Sequence, residues 1–320
     1  MSILNPFEHI FSEVSSSVNV EPGLRFASID IGSNAVRLLF ALVFENEKGQ
    51  VDVHKINLIR MPIRLGDDSF VDGKISDEKK QTLIKTMKAY KELTEVYNPL
   101  GFMACATSAM REASNAPEIV KEIWDKTGIK IEVIEGKLEA EYIFSNHVAE
   151  KLPEDRAYLY IDVGGGSTEL SVFANQERYK SASFNIGPVR ILDGRPVDKE
   201  WDRMQKWVEA HTRLFSKLSA IGSGGNINKI YKMAEPKPGK QLTAKKMKEV
   251  VKTLEAHTVH DRVRVLGLKP DRADVILPAS EIYLSIMKWA DIKEIHVPQI
   301  GLADGIIHIL YDKWKAENGE

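Results

Sequence analysis

The chain has 320 residues, with 44 lysines and arginines against 46 aspartates and glutamates and a formal net charge of −2. That balance excludes a strongly basic protein that coats nucleic acid, but it leaves room for a local basic cleft around a polyanion. A single cysteine, Cys105, excludes an intrachain disulfide, and no apolar run approaches the roughly 20 residues of a membrane span. The first residues lack a basic stretch followed by an apolar core, so the protein is expected in the cytoplasm, with neither a membrane nor a nucleic-acid polymer as partner.

Residues 1–23 come first. Ile3, Leu4, Phe7, Ile10, Phe11 and Val14 recur at helical spacing ahead of a serine run and Pro22-Gly23, which predicts a short amphipathic helix on a linker. From residue 25 the pattern becomes that of strands, at 25–31, 36–44 and 51–59. A long helix is predicted over 76–97, with Ser76 as its cap and Leu83, Ile84, Met87 and Leu93 on one apolar face. A strand at 101–106, a helix near 117–126, a strand at 129–134 and a helix from 137 to 149 follow. The order then restarts, with strands at 157–163, 169–174 and 177–185. Helices at 201–217, 226–233, 243–254 and 272–290, a strand at 294–297 and a helix from 302 complete the chain. Strands alternating with helices define an α/β class.

The repetition is the informative feature. Ile29-Asp30-Ile31-Gly32-Ser33 returns as Ile161-Asp162-Val163-Gly164-Gly165, an apolar strand ending in Asp, one apolar residue, then Gly and small residues. A period this long is a duplicated domain rather than a solenoid unit. Gly-rich turns between strands let backbone N–H groups approach an anion, and the preceding Asp can hold a metal-bound or attacking water. One such turn is usually only a hairpin. Two matched copies, the second reading Asp162-Val163-Gly164-Gly165-Gly166-Ser167-Thr168-Glu169, point to a pair of phosphate clamps across a cleft.

These motifs resemble the exopolyphosphatase/guanosine-pentaphosphate phosphatase family. Residues 28–39 (SIDIGSNAVRLL) look like its first phosphate loop and residues 161–170 (IDVGGGSTEL) like its second. Residues 106–115 (ATSAMREASN), 131–140 (IEVIEGKLEA), 185–190 (NIGPVR), 221–226 (IGSGGN) and 266–279 (LGLKPDRADVILPA) are similar to its further signatures. The resemblance implies two ribonuclease-H-like domains of the actin-like ATPase superfold with a cleft between them. Domain I is expected over 24–136 and domain II over 137–320, with the last helix, from 303, packing back on domain I. It also implies Mg²⁺-dependent release of terminal phosphate from inorganic polyphosphate or guanosine pentaphosphate. Glu139 maps onto the family's general base, and Asp30, Asp162 and Glu169 are the acids expected on the Mg²⁺ side. Gly32, Ser33, Asn34, Arg37, Arg111, Gly164, Gly165, Gly166, Ser167, Thr168 and Gly224 are expected to bind phosphate. A homodimer is expected because family members often pair and the apolar face of residues 1–23 needs cover.

Three positions depart from the family pattern: Leu138 and Glu141 flank the Glu139-Ala140 pair, and Ala303 precedes Asp304-Gly305. They keep open a second reading, a sensor that binds polyphosphate or a guanosine alarmone without hydrolysis. A sugar- or acetate-type kinase of the same superfold is a third, but it lacks a recognisable acceptor insertion or adenosine pocket. His260-Asp261 has no companion metal ligands, and the lysines at 237, 240, 245, 246, 248 and 252 read first as a solvated face.

Overall fold

A computed structural model describes residues 23–318 except 48, 146–152, 154, 175–176, 195–196 and 236–240. The amphipathic helix expected within residues 1–23 lies outside the described residues, as do Lys237 and Lys240.

Two sheets organise the molecule. The first contains β1 (Leu24–Ile31), β2 (Val36–Glu45), β3 (Val51–Met61), β4 (Gly101–Ala106) and β5 (Ile131–Val133), in the order β3-β2-β1-β4-β5. The second contains β6 (Ala157–Val163), β7 (Thr168–Ala174), β8 (Glu177–Phe184), β9 (Leu218–Ser223), β10 (Leu242–Thr243) and β11 (Glu294–His296), in the order β10-β11-β9-β6-β7-β8. In each, three strands run as an antiparallel meander and the first pairs parallel with the fourth. This is the ribonuclease-H-like arrangement of the actin-like ATPase superfold, made twice. The duplication extends to a defect: β2 and β3 slip register after Phe40, and β7 and β8 slip after Val172, at the same offset beyond Asp30 and Asp162. The central strands β1 and β6 are buried on both faces, which is why they read as continuous apolar runs.

Helices cover the sheets. α1 (Leu65–Asp72) precedes the long α2 (Asp77–Tyr97), whose N-terminus Ser76 caps by accepting from the Lys79 N–H at 3.4 Å. Leu83, Ile84 and Met87 are buried along α2, whereas Leu93 is 41% exposed. Next come α3 (Ser108–Glu112), α4 (Ala116–Thr127), α5 (Gly136–Phe144), α6 (Pro188–Leu192), α7 (Asp198–Thr212) and α8 (Gly225–Met233). α9 (Ala244–Glu255), α10 (Val259–Arg264), α11 (Pro270–Ala273), α12 (Ile276–Trp289) and α13 (Leu302–Asn318) complete the chain. The helix expected over 272–290 is therefore two, broken at Asp274 and Val275. The one-turn helices α3, α6 and α11 were not expected, because a single turn is too short to show a helical period.

Each half has its own core, and a third lies between them. That third core joins Phe26, Leu39 and Cys105 of the first sheet to Tyr158, Phe173 and Ile221 of the second through Ile306, Ile307 and Leu310 of α13. α13 thus packs against β1, β2, β4 and α5. Its approach to α5 is close enough that a Cβ on Gly305 would lie 1.7 Å from the Tyr142 carbonyl oxygen. Among the described residues, no helix is long and apolar enough to cross a membrane.

Candidate active site

The two Gly-rich turns share a backbone bond. Gly32 N–H donates to the Ala35 carbonyl at 3.1 Å, and Gly164 N–H donates to the Ser167 carbonyl at 3.0 Å. The turns face each other: a Cβ on Gly165 would lie 2.9 Å from the Ser33 Cβ and 3.3 Å from the Asn34 nitrogen. Between the halves they line a cleft with Gly32, Ser33, Asn34, Arg37, Gly164, Gly165, Ser167 and Gly224 on its walls. Gly224 has φ of +112° and a Cβ there would meet the Val163 carbonyl at 2.9 Å, so only glycine fits at the mouth of α8. Gly166 and Thr168 do not line the cleft. Gly166 backs onto the Phe70 ring, and the buried Thr168 donates its hydroxyl to the Ile186 carbonyl at 2.7 Å. Both hold the second turn in place from behind.

The acids divide into two groups. Asp30 is ion-paired with Arg37. Glu139, Asp162 and Glu169 are buried together, each offering a carboxylate oxygen within 4.8 Å of the others. Glu139 reaches this group from the first turn of α5, with Arg111 Nη1 4.0 Å away. Glu169 Oε1 accepts from the Ser183 hydroxyl at 2.9 Å, and Asp162 accepts from Ser223. Burial, then the charges of Glu169, Asp162 and Asp30, hold the Glu139 carboxyl well above its usual range. Burial and Asp162 likewise raise Glu169. Burial pushes Asp162 up to about 6, against the hydroxyl of Ser223.

Three buried carboxylates crowded together are costly unless a proton or cation joins them. Glu139 Oε2 and Glu169 Oε2 are both buried with no hydrogen-bond partner. The donor set of oxygen atoms and the two orphaned oxygens fit a hard divalent cation.

The cleft also carries a cationic wall that sequence reading missed. Arg60 of β3 and Arg272 of α11 join Arg37 on the cleft surface. Arg60 is ion-paired with Asp271, both nearly buried, and Asn34 Nδ2 donates to the Asp271 carbonyl at 2.9 Å. The Arg272 guanidinium makes no hydrogen bond or ion pair among the described residues, while its backbone N–H donates to the Lys269 carbonyl at 2.9 Å. Burial, then the charges of Arg60 and Arg37, lower its guanidinium to about 10. A cation under that pressure is built to meet an anion. Arg272 lay within the quoted 266–279 signature, so the signal existed; Arg60, on an exposed edge strand, gave none.

Arg111 does not line the cleft. It stands beside the acids, donating to the Ile134 carbonyl at 2.7 Å. Of the departing residues, Leu138 packs into the third core and Glu141 pairs with Arg178 at 2.8 Å, away from the cleft. Ala303 and Asp304 do line it, and Asp304 is neutralised by Lys55 at 2.6 Å. His260 is 80% exposed beside Asp261, whose N–H donates to Thr258, the cap of α10, and whose carboxylate accepts from the Thr258 hydroxyl. Lys245, Lys246, Lys248 and Lys252 lie on the exposed face of α9 and not on the cleft.

A duplicated ribonuclease-H-like fold with facing Gly-rich turns, buried acids and an arginine wall defines a two-domain phosphate-handling protein of the actin-like ATPase type. More narrowly, the chain belongs to the Ppx/GppA phosphatase family, whose model matches residues 42–314. It is 28% identical over 286 residues to a bifunctional 3-dehydroquinate synthase/phosphatase of Fusobacterium nucleatum, covering 82% of this chain but only 43% of that protein. It is 23% identical over 317 residues to exopolyphosphatase 1 of Mycobacterium tuberculosis, covering 89% of this chain and 87% of that one. The crystal structure of the Aquifex aeolicus family member superposes with a TM-score of 0.71 at 26% identity, covering 92% of this chain and 99% of that one. An exopolyphosphatase from Cytophaga hutchinsonii shares the fold with a TM-score of 0.77, over 90% of this chain and 98% of that one.

Proposed function

We propose that this chain is a phosphoanhydride hydrolase that releases terminal phosphate from inorganic polyphosphate or guanosine pentaphosphate. The observation that carries the reading is the meeting, in one cleft, of buried acids with unpartnered oxygens and an arginine wall containing the unpaired Arg272. Polyphosphate is the substrate implied by the names of the exopolyphosphatase relatives.

In this reading the N–H groups of the two turns and Arg37, Arg60 and Arg272 hold the phosphate chain, and Arg111 stands by the reacting end. Glu139 orients water and accepts its proton as oxygen bonds to the terminal phosphorus and the anhydride P–O bond breaks. Asp162 and Glu169, with Glu139 beside them, would hold Mg²⁺, which supplies neutralisation of phosphate charge. Asp30 acts through Arg37. A cytoplasmic location and a homodimer belong to the same reading; the exposed apolar residues Ile56 and Met61 on edge strand β3 support the pairing.

Phosphate release is the test, measured on polyphosphates of several lengths and on guanosine pentaphosphate, with Mg²⁺ and with chelator. Turnover that needs Mg²⁺ is expected. Tight binding without turnover on any of these substrates would replace the hydrolase by the sensor.

A further inference from the structure

A second cavity of about 450 Å³ adjoins the acids and shares no lining residue with the cleft. It opens to solvent and is lined by the N-terminal turn of α5, by α3 and by β8, with Arg111, Lys137 and Arg203 on its wall. Lys137 is exposed and makes no ion pair among the described residues. Arg203 is fixed and its charge is met by Glu200, to whose Oε1 its Nε donates at 2.9 Å; it also donates to the Ser183 carbonyl at 2.8 Å and lies 4.4 Å over the Phe184 ring, which leaves Lys137 as the unpaired cation of the wall. Of the two acids on the wall, Glu112 is taken by Arg190 and Glu135 stands 3.9 Å from Arg111.

The partition between this cavity and the acids is one side chain thick. Arg111 faces both ways, with Glu135 on the cavity side and Glu139 on the acid side. Ser183, on the cavity wall, donates to Glu169. Gly136 lets α5 close against β8 at this point: a Cβ there would lie 2.6 Å from the Ser183 Oγ and 3.5 Å from Glu169 Oε1.

We propose that this cavity binds orthophosphate and is its exit, reached from the acids past Arg111. The proposal rests on the hydrolase reading. Hydrolysis leaves two anions, an orthophosphate beside the acids and a shortened chain still held by the arginines of the cleft. They repel one another, and the chain obstructs the way it came in. A cationic cavity next to the acids draws the smaller anion out separately and leaves the chain in place. It has ample room for one phosphate and its water at about 30 Å³ per water.

The test separates bond cleavage from release. Acid-quenched product is followed by rapid mixing, and free phosphate by a fluorescent phosphate-binding sensor. S181W puts a large side chain into the cavity from β8. Its first-turnover cleavage should keep the wild-type rate while free phosphate lags behind it roughly tenfold or more, so that release limits turnover. K137E, which reverses an exposed charge and should fold whatever S181W does, should also slow release and spare cleavage. Release unchanged in a folded S181W and in K137E, or slowed only in step with cleavage, overturns the exit. A wild type that hydrolyses none of the substrates sinks the hydrolase reading instead. The cavity is then judged by calorimetry with inorganic phosphate: weaker binding by K137E supports an anion site, and equal binding overturns it.

Discussion

Glu139 has the position and the environment of a general base: in a first helical turn, one oxygen unpartnered, its proton affinity raised by burial and then by the neighbouring acids. Glu139→Gln keeps the shape and removes the proton acceptor, so turnover should fall about 10²–10⁴-fold with polyphosphate binding nearly intact. Glu141→Gln, whose carboxylate faces Arg178, should change turnover little. Steady-state kinetics with a binding assay checks both, and near wild-type turnover in Glu139→Gln would assign the base elsewhere. Asp162 makes a stability prediction. Its carboxyl keeps its proton up to about pH 6 in the fold against 3.8 when unfolded, so its contribution is full at low pH and lost as pH rises through about 6. Without metal, Asp162→Asn should therefore stabilise the protein by up to about 3 kcal/mol at pH 7.5 and by little at pH 4. Urea unfolding in chelator at the two pH values is the measurement, and a stabilisation that does not change with pH contradicts the argument.

Short elements carry two of the ion pairs across the cleft. The four residues of α11 hold Arg272 in the cleft and, through Asp271, clasp Arg60 of β3. Arg64, just before α1, pairs with Asp274 at 2.8 Å just after α11, so a second bond runs beside the first. A buried ion pair adds little over a well-packed apolar pair, but breaking it leaves a bare charge. Asp271→Ala is thus expected to cost about 3–5 kcal/mol, and Arg60→Met combined with Asp271→Leu to recover most of it. Chemical denaturation of the single and double variants decides this; a double variant as unstable as the single one means the pair is not the cause.

At the scale of the molecule, α13 decides how far the halves are independent. We propose the division 24–136 and 137–320, following the two sheets. The first half alone would expose Phe26, Leu39 and Cys105, which α13 and the second sheet now cover. A fragment of residues 24–136 should therefore aggregate when expressed alone and become soluble when co-expressed with residues 137–320. A soluble, cooperatively folded fragment would show that α13 is not needed for the first half.

The duplicated strand–Asp–Gly turns, the α/β class and the family were legible in the residues themselves, because a Gly-rich turn and a buried strand are local features written in consecutive positions. Glu139 could be named only through the resemblance, since three glutamates crowd that stretch and nothing local separates 135, 139 and 141. What the chain could not reveal alone was which distant side chains meet. The gathering of Glu139 with Asp162 and Glu169 and the wall of Arg37, Arg60 and Arg272 each join residues through the tertiary fold. Gly166 and Thr168 belong to the second turn's motif yet face Phe70 and Ile186, because a turn can present only some of its residues to one side. Sequence determined the scaffold and its two loops. Burial, which raises the acids and lowers Arg272, exists only once the halves have closed around the cleft.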